Sequence, residues 1–167
     1  MIHLIYNKDI PKNPNTADEL ILANLENALE TRVQQLCHKF TNELNCELEY
    51  QTGKKLLDFV QIDNGGKMGF AQKAKKKSEG TKKGFPDIIL AFGTPCGQHS
   101  QIICVEFKRI AASKSGIGID ESQLYYHDWL NSIGFKSYIT NDPTFFRNVI
   151  LQDVKDFFKK YLTTIKS

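Results

Sequence analysis

Leu22, Leu25, Leu29, Val33, Leu36 and Phe40 recur at spacings of three and four, which draws one apolar stripe along a helix. Just upstream, Thr16-Ala17-Asp18-Glu19 is a capping box: the threonine hydroxyl serves the amide three residues on, and the glutamate reaches back. One long helix is therefore expected after Thr16. The pattern then shortens to strand-like runs at Leu56–Ile62, Gly84–Phe92 and Ile102–Lys108, the last two joined by a loop holding Gly93, Pro95 and Gly97. A second helix is predicted from Asp120 to Ile133, stopped by Gly134, with Tyr126, Trp129, Leu130 and Ile133 as its buried stripe. Lys136–Thr140 reads as a fourth strand. Asp142-Pro143 starts a last helix over 143–165, with Val149, Ile150, Val154, Phe157, Phe158, Tyr161 and Ile165 on its apolar face. Residues 1–15 form an arm in which Ile2, Leu4, Ile5 and Tyr6 can make a short strand.

The order helix, three strands, helix, strand, helix predicts an α/β fold: a mixed four-stranded sheet flanked by helices, with an added C-terminal helix. No repeat or linker divides the 167 residues, so a single domain over 1–167 is expected.

A hydrophobic content of 41% and a charged content of 25% are ordinary for a soluble globular chain. No apolar run reaches the roughly 20 residues of a membrane span, and Met1-Ile2-His3 opens no signal peptide. A cytoplasmic place, in a bacterial or phage-infected cell or otherwise intracellular, is the expectation. Cys37, Cys46, Cys96 and Cys104 have no C-x-x-C spacing and no H-x-x-x-H pair accompanies them, which argues against zinc and for reduced thiols. The net charge of +3 hides an asymmetry: the stretch from Lys67 to Lys83 carries +6, leaving −3 for the rest. One basic segment on a mildly acidic body suggests an anion-binding surface.

The chemistry concentrates at Pro86-Asp87 and Glu106-Phe107-Lys108. Side chains alternate along a strand, so Glu106 and Lys108 share a face, and Asp87 joins them if the two runs are neighbours. Glu106 ends Ile102-Ile103-Cys104-Val105, a run buried on both faces, where a carboxylate needs a cation or partner. Carboxylate oxygens suit Mg²⁺ or Mn²⁺, and a lysine beside them suits a phosphate oxygen or an attacking water. The arrangement points to metal-dependent phosphodiester cleavage.

With Asp87 and Glu106-x-Lys108 in this element order, the chain resembles the PD-(D/E)xK nuclease superfamily, with its restriction-endonuclease-like fold, and within it the VRR-NUC (virus-type replication-repair nuclease) family. Glu30-Thr31-Arg32-Val33-Gln34 is similar to that family's first-helix motif, Asn64-Gly65-Gly66-Lys67 to its glycine turn, and Gly80–Asp87 to its G-x-x-x-G-x-P-D. Val105–Lys108 with Gln123 resembles its E-x-K and following helix glutamine. The likeness spans roughly Glu30 to Thr140. It implies a DNA endonuclease using Mg²⁺ or Mn²⁺, selective for branched structures such as four-way junctions, acting in replication, repair or recombination, and usually a homodimer. Metal ligation would fall to Glu30, Asp87, Glu106 and the Phe107 carbonyl, and catalysis to Asp87, Glu106, Lys108 and Gln123.

Glu26, one turn before Glu30, is the alternative helix carboxylate. Gln123 is expected to orient water or Lys108 rather than act as a base. Lys67, Lys73, Lys75, Lys76, Lys77, Lys82 and Lys83 are the candidate DNA contacts, giving affinity to phosphates without reading bases. Tyr125, Tyr126 and Trp129 read as core rather than as stacking platforms. The competing functions are a nuclease-fold module that binds nucleic acid or protein without turnover, and a sequence-specific restriction-type nuclease.

Overall fold

The computed structural model describes residues 1–26, 28–62 and 83–162. In chain order these form β1 (Ile2–His3), α1 (Ala17–Ala23), α2 (Glu30–Thr52), β2 (Leu57–Gln61), β3 (Ile88–Gly93), β4 (Ser100–Phe107), α3 (Glu121–Ser132) and β5 (Lys136–Thr140). A C-terminal helical run follows: α4 (Pro143–Phe145), a π turn (Phe146–Ile150) and α5 (Leu151–Leu162). The protein is α/β, with one mixed sheet in the order β1-β5-β4-β3-β2. β2, β3 and β4 form an antiparallel meander, while β5 runs parallel to both β4 and β1.

The sheet thus has five strands rather than the expected four. The arm supplies the fifth because Asn141 reaches it: its side-chain oxygen accepts from the Ile5 amide at 2.7 Å and its Nδ2 donates to the Ile5 carbonyl at 2.8 Å. Ile2 and His3 then pair with Ile139 and Thr140.

The capping box at Thr16 and Glu19 forms as read, but the long helix it was expected to start is two helices. α1 stops at Ala23, where the Asn24 side chain donates back to the Leu20 carbonyl at 2.9 Å. The break drops Leu25 into the core and leaves Leu29 68% exposed. It also frees the Ala28 carbonyl to accept from the Ile110 amide at 3.0 Å, a bond that an unbroken helix would forbid. Tertiary pairing overrides the stripe, and Glu30 becomes the first residue of a new helix.

Ile88, Leu90 and Phe92 of β3 and Ile103, Val105 and Phe107 of β4 line one face of the sheet. Against that face lie Val33, Cys37, Phe40 and Leu44 of α2, with Phe146, Ile150, Leu151, Val154 and Phe158 of the C-terminal run. The π turn inserts a residue into the helical count, so Val149 rotates to the surface while Leu151 turns inward. That shift corrects the apolar face expected there; Ile165 lies outside the described residues.

α3 begins with a second capping box, Asp120 with Gln123, and ends before Gly134 at φ +92°. Its buried residues are His127 and Leu130, whereas Tyr125 and Trp129 are 63% and 42% exposed and Tyr126 is half-buried. The aromatics are therefore not core, and Ile133 is exposed as well. His127 takes the inward place because its Nδ1 lies 3.1 Å from the Ser137 hydroxyl on β5, a polar contact that an apolar count does not register. Cys37, Cys46, Cys96 and Cys104 are free thiols. Among the described residues no helix is long and apolar enough to cross a membrane.

Candidate functional site

Ile88 pairs with Val105 across β3 and β4, so extending that register by one step sets Asp87 opposite Glu106. Opposed residues of an antiparallel pair project from the same face. The sequence thus dictates the meeting: an apolar strand whose first ladder residue follows Asp87, and a partner strand that reaches it at Val105 and Glu106. Asp87 is held by the Phe107 amide, which donates to its Oδ2 at 3.2 Å. The ladder continues past Phe107 as the Lys108 amide donates to the Thr140 carbonyl at 2.9 Å.

Glu106 and Lys108 are 4% and 5% exposed. Glu106 Oε1 accepts from Lys108 Nζ at 2.7 Å and also from Gln123 Nε2. Oε2 is buried and has no hydrogen-bond partner among the described residues. Burial first, then the neighbouring Asp87 charge, pushes the Glu106 carboxyl up to about 8, against the downward pull of Lys108. Two acceptors this close are reconciled only by a proton or a cation between them.

Gln123 uses both ends of its amide. Its Oε1 accepts from the Asp120 amide at 3.2 Å, closing the capping box, and its Nε2 goes to Glu106. It therefore bonds Glu106, and one turn on from it lie half-buried Tyr126 and buried His127. Glu30, half-buried at the start of α2, feels the same centre: burial and the Asp87 charge raise its carboxyl, while Lys108 opposes. Glu26 is exposed in the turn before it. Of the two helix carboxylates, Glu30 is the one electrostatically coupled to the site.

The segment leading into Asp87 is docked on the start of α3. Lys83 Nζ lies 3.1 Å from Asp120 Oδ2, and the Phe85 and Tyr126 rings meet edge to face at 5.6 Å. Gly84 has φ +83°, and a Cβ there would sit 2.5 Å from the Ser122 backbone carbon. Only glycine allows both. In the sequence Gly84 stands only as a motif position; the signal for its physical role is a glycine two residues before a strand-initiating Pro-Asp. Lys67, Lys73, Lys75, Lys76, Lys77 and Lys82, with the Asn64-Gly65-Gly66 turn, lie outside the described residues.

Among the described residues no group of three His, Cys, Asp or Glu side chains stands in a metal-binding arrangement. The fit to a cation rests instead on Asp87 and Glu106, whose orphaned Oε2 lacks the positive partner that a divalent ion would supply. A cavity of about 1000 Å³ lies elsewhere, between the end of α2, the β3–β4 loop and α5; Glu47 is the sole carboxylate among its lining residues, so chemistry rather than volume locates the site.

The fold and site together define an α/β protein with paired strand-end carboxylates and a buried lysine. Beyond that class, no family model, no curated protein and no solved structure matches the chain.

Proposed function

We propose that this protein is a Mg²⁺- or Mn²⁺-dependent DNA endonuclease of the VRR-NUC type, built on a restriction-endonuclease-like fold. The observation that carries the reading is the Asp87–Glu106 pair: adjacent carboxylates at a strand end, one oxygen buried without a donor, and an ammonium 2.7 Å from the other. A structural ion pair gains nothing from a second acid beside it, whereas a metal site requires one. The meander followed by a parallel fourth partner, with a helix on each face, also fits that fold.

Bound at Asp87 and Glu106, a divalent ion supplies Lewis-acid polarisation of the scissile phosphate and a more acidic water. Asp87 is kept in place for that task by the Phe107 amide, and Glu106 by Gln123. Glu30 adds a third negative charge from α2, and the Phe107 carbonyl completes the proposed ligand set. Lys108, poised on Glu106, orients water and meets the negative charge that develops on the phosphate. The products would carry 5′-phosphate and 3′-hydroxyl ends. Branched DNA is the proposed substrate and a homodimer the proposed assembly, since paired cuts across a junction suit two-fold related sites.

The test is digestion of matched linear duplex, flap and four-way-junction DNA with Mn²⁺, alongside melting with and without the metal. Wild-type protein should cut and should melt higher with Mn²⁺, and Asp87→Ala should lose both effects. Full turnover by Asp87→Ala would falsify the assignment. A metal-dependent melting shift without cleavage would leave a binding module.

A further inference from the structure

A groove of about 280 Å³ runs between α2 and the edge strand β2, lined by Thr31, Gln34, Gln35, His38, Phe59 and Gln61. It starts next to Glu30, at the end of the sheet where Asp87 enters β3. Thr31 follows Glu30 directly; Gln61 pairs with Ile88, the residue after Asp87; and the Ile62 amide donates to the Asp87 carbonyl at 2.7 Å. Thr31, Gln34 and His38 are spaced by three and four, so one face of α2 supplies the wall.

Among the described residues the lining carries no carboxylate and no lysine or arginine. It offers three carboxamides, a hydroxyl and an imidazole around the Phe59 ring. The side chains of Thr31, Gln34, Gln35 and Gln61 make no hydrogen bond to another described residue. Phe59 is half-buried against Phe107 and Phe146, and His38 meets its edge at 5.1 Å. Such a surface does not suit a phosphate, which calls for cations. It suits a flat heterocycle with donors and acceptors on its rim: a carboxamide presents both together and can bond a base edge twice. The volume sits at the small end of ligand sites, about 300 Å³, and excludes a base pair.

We infer that this groove takes one unpaired nucleobase of the strand being cut, next to the scissile phosphate. The inference rests on the site being a phosphodiester-cleaving centre and names what that centre selects. A base hydrogen-bonded to its complement has its pairing edge occupied, so the groove favours DNA with an unpaired nucleotide at the cut: a flap, a fork or a junction crossover. Preference for branched substrates then comes from Gln34, Gln35 and Gln61 as positioning residues beside the metal ligands.

The experiment is fluorescence anisotropy in Ca²⁺, using a fluorescein-labelled single strand of mixed sequence and its duplex, with Gln34→Ala and Gln61→Ala. Each variant should lose about tenfold affinity for the single strand, the discrimination given by one good base contact, and none for the duplex. Unchanged single-strand affinity, or equal loss on both DNAs, overturns the inference. Gln61 is exposed, so its variant keeps the fold; Gln35→Glu, which sets a carboxylate against the strand, is the second probe. Mn²⁺ cleavage by the same preparations separates the two readings. Cutting that depends on Asp87 but ignores Gln61 removes the groove and keeps the endonuclease. Single-strand binding that depends on Gln61, with no DNA cut, keeps the groove and removes the endonuclease.

Discussion

Two clusters of buried polar side chains flank the end of β5 and β4, and they are built on opposite terms. At Asn141-Asp142 the bonding is closed. Asp142 Oδ1 accepts from the Thr144 amide at 2.8 Å, the Thr144 hydroxyl at 2.7 Å and the Phe145 amide at 3.1 Å, while Oδ2 meets His3 at 2.9 Å. Asn141 ties Ile5 to the Arg109 carbonyl. At Asp87, Glu106 and Lys108 the bonding is open: Glu106 Oε1 is doubly served, and among the described residues Oε2 has no partner. A cluster meant to hold a fold satisfies every group, because an orphaned buried acceptor costs about 1–3 kcal/mol. The orphan at Glu106 is the position that the proposed cation would complete.

The contrast can be broken most forcefully by removing an acid from each cluster. Asp87→Ala or Lys108→Ala should cut the rate of Mn²⁺-dependent cleavage by about 10³-fold or more, and Asp87→Ala, which removes a like charge beside Glu106, should melt at or above wild type. Asp142→Ala should do the reverse, losing about 3 kcal/mol of stability through its helix cap and lost bonds; urea unfolding measures this. A large melting drop in Asp87→Ala would erase the distinction between the clusters.

Proton linkage sharpens it further. The Glu106 carboxyl titrates near 8 in the metal-free fold, above its usual 4.5. A raised carboxyl contributes stability that is present below the unfolded value and lost as pH climbs through the folded one. Metal-free wild-type protein should therefore weaken between about pH 5 and 8. Glu106→Gln, which carries no proton to lose, should flatten that slope and melt several degrees higher at pH 8, roughly a few kcal/mol by linkage. Denaturation at stepped pH in EDTA reads this directly, and the same variant should gain nothing from Mn²⁺.

The smallest effect concerns α2. Glu30→Gln should weaken Mn²⁺ affinity about tenfold, whereas Glu26→Gln should leave it unchanged. Titration of the metal-induced melting shift compares them, and equal loss from both would return the helix ligand to doubt.

Much of the scaffold was legible because local rules agreed with the tertiary outcome. The capping box at Thr16, the Asp142-Pro143 start and the apolar runs of β2, β3 and β4 were readable, since strand alternation and cap chemistry are short-ranged. Asp87 opposite Glu106 followed from that alternation plus one hairpin. Three features were not legible. The break before Glu30 depends on a bond from Ile110, distant in sequence. The π turn moves Val149 and Leu151 without a marker residue. The phase of α3 is set by His127 on Ser137 and by Gly84 on Ser122, polar and steric contacts that hydrophobic counting ignores. The open oxygen of Glu106 was beyond the sequence for the same reason: a run can show that a carboxylate is buried, but not which of its two oxygens is served.

The place of β5 in the sheet also sets an order in time. It lies between β1 and β4, yet its residues are made more than a hundred positions after those of β1. The β3–β4 hairpin closes a short loop quickly, whereas β2 joins it across residues 62–87. The outer edge of β4 and the whole of β1 must wait for Thr140, and so must the amide of Lys108, whose acceptor is the Thr140 carbonyl. A ribosome that has delivered Asp87, Glu106 and Lys108 has delivered the hairpin that sets the two acids opposite each other, but not the strand that accepts from the Lys108 amide. The emerging chain can therefore pair its acids first and fix the backbone of its lysine only when β5 slides home.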